Sequence, residues 1–161
     1  TDLRDAYAKK GDKLFNSEEG IALGSAVDGW MYDNCSGTQI PVTAIDYEFQ
    51  GVPATVPAGI GKIQLTNDAP KEMHEMALFK LTDEGAAMDP EELLALPQKK
   101  AEKLVDFSSS AFAFAPPGQT GYAFTNLAPG DYVYACFIPV GGKKKGAPHF
   151  TQGMFGTLTV S

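Results

Sequence analysis

An all-β Greek-key sandwich is the fold that the sequence predicts, and three observations carry that expectation. The 161 residues include 17 Gly and 11 Pro, punctuation that favours short strands joined by turns over long helices. Between those breaks recur seven or more short runs rich in β-branched and aromatic residues. Helices do not alternate with them, so the strands are expected to pair antiparallel in two packed layers. A hydrophobic share of 43% is enough to fill one compact core.

Residues 1–35 read as a helical extension to a domain spanning 36–161. Leu3, Ala6, Tyr7, Leu14 and Phe15 recur at roughly helical spacing behind Asp2 as a candidate cap, which predicts a short amphipathic helix. Gly20 and Gly24 then interrupt the pattern, and Trp30, the only Trp, is expected to anchor the extension on the main body. No chemistry is expected from this segment.

The strands begin with Ile40 to Phe49. Gly61 to Asn67 sets Ile63 and Leu65 on one side, with Lys62, Gln64 and Thr66 on the other. His74 to Leu81, Ala111 to Ala115, Tyr122 to Leu127, Tyr132 to Phe137 and Met154 to Val160 follow, each fenced by Gly, Pro, Asn or Asp. One helical insertion around 89–105 breaks the rhythm. It opens on Asp89-Pro90-Glu91-Glu92, where Asp caps, Pro sits at the first helical position and acids fill the first turn, and it is stopped by Pro97. Ala101, Leu104 and Val105 are expected to face the sheet.

Twenty acidic residues against thirteen basic ones give a net charge of -7, so the molecule repels polyanions and nucleic acid is not expected as a partner. No apolar run approaches the ~20 residues of a membrane helix, and the chain is expected to be soluble. The basic run Lys143-Lys144-Lys145 lies in a Gly-rich loop, which by itself reads as solvated. Glu91-Glu92 and the run Ser108 to Ser110 lack a free histidine to serve as base, so a hydrolase is not expected. No Gly-rich phosphate loop links a strand to a helix.

Two Cys and two His remain, and two readings of them stay open. Cys35 and Cys136 form a disulfide, or Cys136 joins histidine and methionine on a metal. Tyr132, Tyr134 and Cys136 share one face of a strand, and after a loop of twelve residues come His149 and, before the last strand, Met154. A thiolate, an imidazole and a thioether thus converge at one end of two terminal strands.

This arrangement resembles the cupredoxin, or blue copper, family over roughly residues 36–161. The matching motif is Gly130-Asp-Tyr132-Val-Tyr-Ala-Cys136, then His149, then Met154 five positions later, with His74 as the earlier histidine. The His74-Glu-Met and Cys136-Phe-Ile-Pro segments resemble those of exported or lipid-anchored bacterial cupredoxin-like proteins. The resemblance implies one copper ion, with His74, Cys136 and His149 as equatorial ligands and Met154 axial. It also implies a single-electron carrier and not an enzyme, in an extracytoplasmic setting: periplasmic, cell-surface or secreted, with a lipid anchor on a longer precursor as one form. A redox partner with an acidic docking patch would meet Lys143, Lys144 and Lys145. The Cys-to-His loop, Phe137 to Pro148, is longer than in small carriers, and Glu75 stands where many members have an Asn that ties the ligand loops together. The alternatives are a cupredoxin-fold binding module pinned by a Cys35–Cys136 disulfide without a blue copper site, and a His/Met copper storage or delivery protein, with Met76 as a further Cu(I) ligand.

Overall fold

The computed structural model describes residues 3–14, 17–143 and 145–161. The chain divides into two compact units, Thr1–Cys35 and Ser36–Ser161.

In the first unit, α1 (Leu3–Lys10) is followed by a 3-10 turn (Gly11–Leu14) and by α2 (Glu18–Asn34). The candidate cap Asp2 and the apolar Phe15 lie outside the described residues. Helix α2 runs straight through Gly20 and Gly24, where an interruption was expected. Each exposed glycine costs a helix about 1 kcal/mol. The start of α2 offsets part of this: the Ser17 side chain accepts from Gly20 N–H, and Glu18 and Glu19 face the positive end of the helix dipole. Trp30 is 61% exposed.

The second unit is a two-sheet sandwich. Its elements are β1 (Thr38–Ile45), β2 (Glu48–Gln50), β3 (Thr55–Val56), β4 (Gly59–Asn67), β5 (His74–Leu81), α3 (Asp83–Ala86), α4 (Pro90–Leu94), α5 (Gln98–Ala101), β6 (Val105–Ala115), β7 (Thr120–Leu127), β8 (Gly130–Ala135) and β9 (Phe155–Val160). One sheet has the order β2-β1-β4-β7 and the other β3-β9-β8-β5-β6. The expected sandwich and its helical insertion are present, but the pairing is mixed. Strand β1 pairs parallel with β4, and β3 parallel with β9. The chain leaves the first sheet after β2, adds β3 to the second, and returns as β4 beside β1, so β4 runs in the same direction as β1.

Between the sheets, Ile40, Val42, Ile63 and Leu65 meet Met76, Leu78, Tyr132, Leu158 and Val160. Strand β6 turns Ala111, Ala113 and Ala115 inward, and these small side chains leave room for the larger ones facing them. Its alternate residues Phe112 and Phe114 point outward and are exposed. The insertion packs on that outer side. Asp89 caps α4 by accepting from the N–H groups of Glu91 and Glu92, and a second apolar cluster joins Leu93 and Leu104 to Val133 of β8. The Tyr132 hydroxyl donates to the Ala128 carbonyl at 2.8 Å and clamps the turn that feeds β8.

Where β6 passes into β7, a Cβ on Gly121 would overlap the backbone carbonyl of Phe114. A Gly121→Ala substitution is expected to destabilise the protein by about 2–3 kcal/mol, within the range for overpacked sites. Urea unfolding reads this directly, and an unchanged midpoint would contradict the packing described for this corner.

Candidate metal centre

Four buried side chains converge at one end of the second unit, and the strand ends explain how. His74 is the first residue of β5, and Cys136 follows the last residue of its neighbour β8. The β5–β8 register, Ala77 opposite Ala135, sets both at the same end of the sheet. Cys136 N–H donates to the Met154 carbonyl at 3.1 Å, Phe150 N–H to the Cys136 carbonyl at 2.9 Å, and His149 N–H to the Ile138 carbonyl at 2.9 Å. His149 opens a 3-10 turn that closes on Gly153, whose φ of 100° lies in the left-handed region where glycine is favoured. That turn brings Met154 back to the start of β9. Each of His74, Cys136, His149 and Met154 is 0% exposed.

His74, Cys136 and His149 form one cluster of potential metal donors. The His74 and His149 Nδ1 atoms are 3.2 Å apart. Cys136 Sγ lies 3.4 Å from His149 Nδ1 and 4.0 Å from His74 Nδ1. Metal–nitrogen bonds of about 2.0–2.1 Å and metal–sulfur bonds of about 2.3 Å, opened to roughly 100–120°, require N···N edges of about 3.1–3.6 Å and N···S edges of about 3.3–3.8 Å. The donor triangle matches these edges to within a few tenths of an ångström, so the residues present fit a single bound ion. Two imidazoles and one thiolate, with a thioether nearby, are the donor set of blue copper sites.

Surrounding groups set the proton positions. His149 Nε2 lies 2.8 Å from Glu72 Oε2. An ionised carboxylate only accepts, so this bond assigns the proton to Nε2 and leaves the Nδ1 lone pair facing Cys136 and His74. Glu72 is itself held by the Gly141 N–H at 2.9 Å and the Tyr47 hydroxyl at 3.1 Å. The Gly141 bond, ahead of those from His149 and Tyr47, keeps the Glu72 carboxyl below its usual range despite partial burial. Tyr47 also packs edge-on against the His149 ring, 5.0 Å between centroids. It stands in the tight turn between β1 and β2, beside Asp46 at φ 39°.

Burial, followed by the charge of His149, lowers the His74 pKa to about 4, so the ring is neutral. Its Nε2 is the one buried side-chain polar atom among the described residues without a hydrogen-bond partner. Burial pushes the Cys136 thiol up to about 11, against the pull of backbone N–H groups of Glu75 and Ile138 on the sulfur. A metal ion held here would favour the thiolate, so its binding at neutral pH would release the Cys136 proton.

The two ligand loops are tied by side chains that the motif alone does not reveal. Glu75 Oε1 accepts from Phe137 N–H at 3.0 Å, and Glu75 N–H points at Cys136 Sγ at 3.4 Å. A carboxylate thus ties the segment after His74 to the one after Cys136. Buried Asn67, at the end of β4, donates to the carbonyls of Glu72 and Ala115 and accepts from Ala69 N–H. The long Cys-to-His loop is paired with itself by a Pro139–Pro148 bridge. Lys143 and Lys145 are exposed on it, and Lys144 lies outside the described residues.

No disulfide joins Cys35, which is exposed, to Cys136, which is buried. The bridged alternative is thereby overturned: the Cys136 sulfur faces two histidine nitrogens inside the sandwich. Met76 is buried in the core cluster and Met73 is exposed. Sequence reading missed Glu72, Tyr47 and Asn67. Only Asn67, in an Asn-Asp-Ala-Pro turn, carried a local signal.

Compared with known proteins, the sequence matches no family model and no curated protein. Among solved structures it is similar to the reduced auracyanin of Roseiflexus castenholzii, with TM-score 0.49 and 23% identity over 78% of this chain and 98% of that one. It is also similar to auracyanin A, a "blue" copper protein of Chloroflexus aurantiacus, with TM-score 0.47 and 24% identity over 77% and 98%. An azurin of Methylomonas sp. strain J overlaps with TM-score 0.47 and 19% identity over 78% and 99%. These overlaps lie below one half, and the site rests on the chain's own strands and donor atoms.

His74 is neutral when folded down to about pH 4, whereas its ordinary value is 6.5. Between those values the unfolded chain binds the extra proton, so stability is fully present above about pH 6.5 and falls as the pH drops toward 4. Urea titrations of the metal-free protein should show a loss of roughly 3 kcal/mol from this residue, on 1.36 kcal/mol per pH unit. A His74→Gln variant should lose that dependence, and an unchanged slope in the variant would contradict the assignment.

Proposed function

We propose that the protein is a type 1 copper-binding protein that carries single electrons, with His74, Cys136 and His149 as equatorial ligands and Met154 as the axial one. The observation that carries this reading is the buried triangle of two Nδ1 atoms and one Sγ. Bound copper cycles between two oxidation states and so accepts and donates one electron at a time. The chain's part is to keep the donors in one arrangement for both states. Glu72 orients the His149 ring through Nε2, the N–H groups of Glu75 and Ile138 stabilise the thiolate, and the Glu75–Phe137 bond locks the two ligand loops. All four ligands are fully buried, which excludes water that would otherwise coordinate and reorganise.

Residues 36–161 are the functional domain in this reading, with 1–35 an extension that brings no ligand. The protein is a carrier and not an enzyme: its two histidines both belong to one cluster, so none is left for a second metal centre. No helix among the described residues is long and apolar enough to cross a membrane. The resemblance to exported or lipid-anchored cupredoxin-like proteins supports an extracytoplasmic setting. The exposed Lys143 and Lys145, on the ligand loop of a protein with net charge -7, support an acidic redox partner that docks near them.

Stepwise Cu(II) addition to the reduced protein should raise an intense thiolate-to-copper band that saturates at one equivalent, and Cys136→Ser should abolish it. Tight Cu(I) binding without that band would instead carry the storage or delivery reading. A Glu72→Ala variant should lose the carboxylate that orients His149, and with it about 10–100-fold in copper affinity. Competition titration against a chelator reads the loss, and an unchanged affinity would remove Glu72 from the account.

A further inference from the structure

Each of the three clustered donors is followed in sequence by a residue that lines one groove: Glu75 after His74, Phe137 after Cys136 and Phe150 after His149. The groove has a volume of about 550 Å³, inside the roughly 300–1,000 Å³ of small-molecule sites. One wall is aromatic. The Phe79 ring makes edge-to-face contacts with Phe107, Phe112 and Phe137 at centroid distances of 5.7, 5.4 and 6.3 Å, and Phe137 meets Phe150 at 5.3 Å. The opposite wall is the insertion, through Leu93, Leu94 and Leu96. Its polar lining consists of Glu75, Gln98 and Glu102, and no Lys, Arg or His lines it.

We propose that this groove binds a small aromatic molecule that carries a hydrogen-bond-donating head, such as a phenol or an aryl amine, and no negative charge. The ring edges and faces on one wall favour a further aromatic ring over an aliphatic chain. Two carboxylates without a cation repel a carboxylate or phosphate and leave acceptors for a donor. Glu75 is only 8% exposed and is held by Phe137 N–H through Oε1, so it presents a fixed polar group among apolar walls. Through the Glu75 N–H, 3.4 Å from Cys136 Sγ, the occupant lies one residue from the metal centre. The proposal depends on the groove alone and stands or falls separately from copper binding.

The test is a titration of the full chain, without added metal, with p-cresol, followed by calorimetry and by amide chemical shifts. Saturable one-to-one binding in the millimolar range is expected, with the largest shifts at Glu75, Phe137 and Phe150. The anion 4-methylbenzoate, which carries the same tolyl ring with a carboxylate in place of the hydroxyl, should bind about tenfold or more weakly, and Leu94→Trp, which fills the groove, should weaken p-cresol by a similar factor. Phe112→Lys should weaken it as well, which covers the case in which the tryptophan variant does not fold. Absence of saturable binding, shifts remote from these three residues, equal binding of the two probes, or retained affinity in the folded groove variants would overturn the proposal. So would a concentration-dependent dimer that p-cresol fails to dissociate, because a second copy would then occupy the groove.

Discussion

Two imidazoles and a thiol meet where water does not reach, and the rest of the second unit is arranged around that fact. A buried polar group without a partner costs about 1–3 kcal/mol, and the one such side-chain atom among the described residues belongs to this cluster. His74 Nε2 has no partner, and His149 Nδ1 and Cys136 Sγ face each other and His74 Nδ1. Burial opposes charge on His74 and on Cys136, which lowers the His74 pKa and raises that of Cys136. A cation held between the three lone pairs would remove the conflict, since Cys136, His74 and His149 would exchange weak mutual contacts for bonds and the thiolate that burial opposes would be favoured.

The supports of the cluster come from both sheets. Glu72 and Asn67 lie in and beside the connection between β4 and β5, Tyr47 in the β1–β2 turn, and Glu75 on β5 itself. Glu72 is shared between His149, Gly141 and Tyr47, so one carboxylate joins the ligand turn, the long loop and the first sheet. Such a shared acceptor limits how far His149 moves without also disturbing its other partners. The twelve-residue loop is therefore held at its root by the Pro139–Pro148 bridge and along its length by Gly141, while Lys143 and Lys145 face solvent.

The insertion changes the outer face of the second sheet. Without α4 and the turn after it, Phe79, Phe107 and Phe112 would line an open aromatic surface. With them, Leu93 and Leu104 cover Val133 and leave a groove along the residues that follow the ligands. The inner side of the same sheet is packed with Ala111, Ala113 and Ala115. Strand β6 thus separates a close-packed interior from an aromatic exterior by the period-two alternation of its side chains.

The alternation of apolar residues, the Gly and Pro punctuation and the Asp89-Pro90 helix start are local signals. They determined the sandwich, the insertion and the approximate positions of β4, β5, β7, β8 and β9 from the sequence alone, whereas the run expected from Ile40 to Phe49 is broken into β1 and β2, and β6 begins at Val105 rather than Ala111. The Gly130 to Cys136 strand with His149 and Met154 after it was equally legible, because those donors lie close in sequence and the resemblance rests on their spacing. Gly20 and Gly24 misled because helix α2 is set by its Ser17 cap and acidic first turn as well as by propensity. The parallel β1–β4 and β3–β9 pairs depend on which sheet β3 joins, a choice made between distant segments. Whether Cys136 met Cys35 or the histidines was likewise open until the β5–β8 register set His74 beside it. Glu72, Tyr47 and Glu75 act through contacts spanning 25 to 77 residues. No local pattern encodes such contacts, so only the packed tertiary structure decided which carboxylate orients His149 and which one ties the loops.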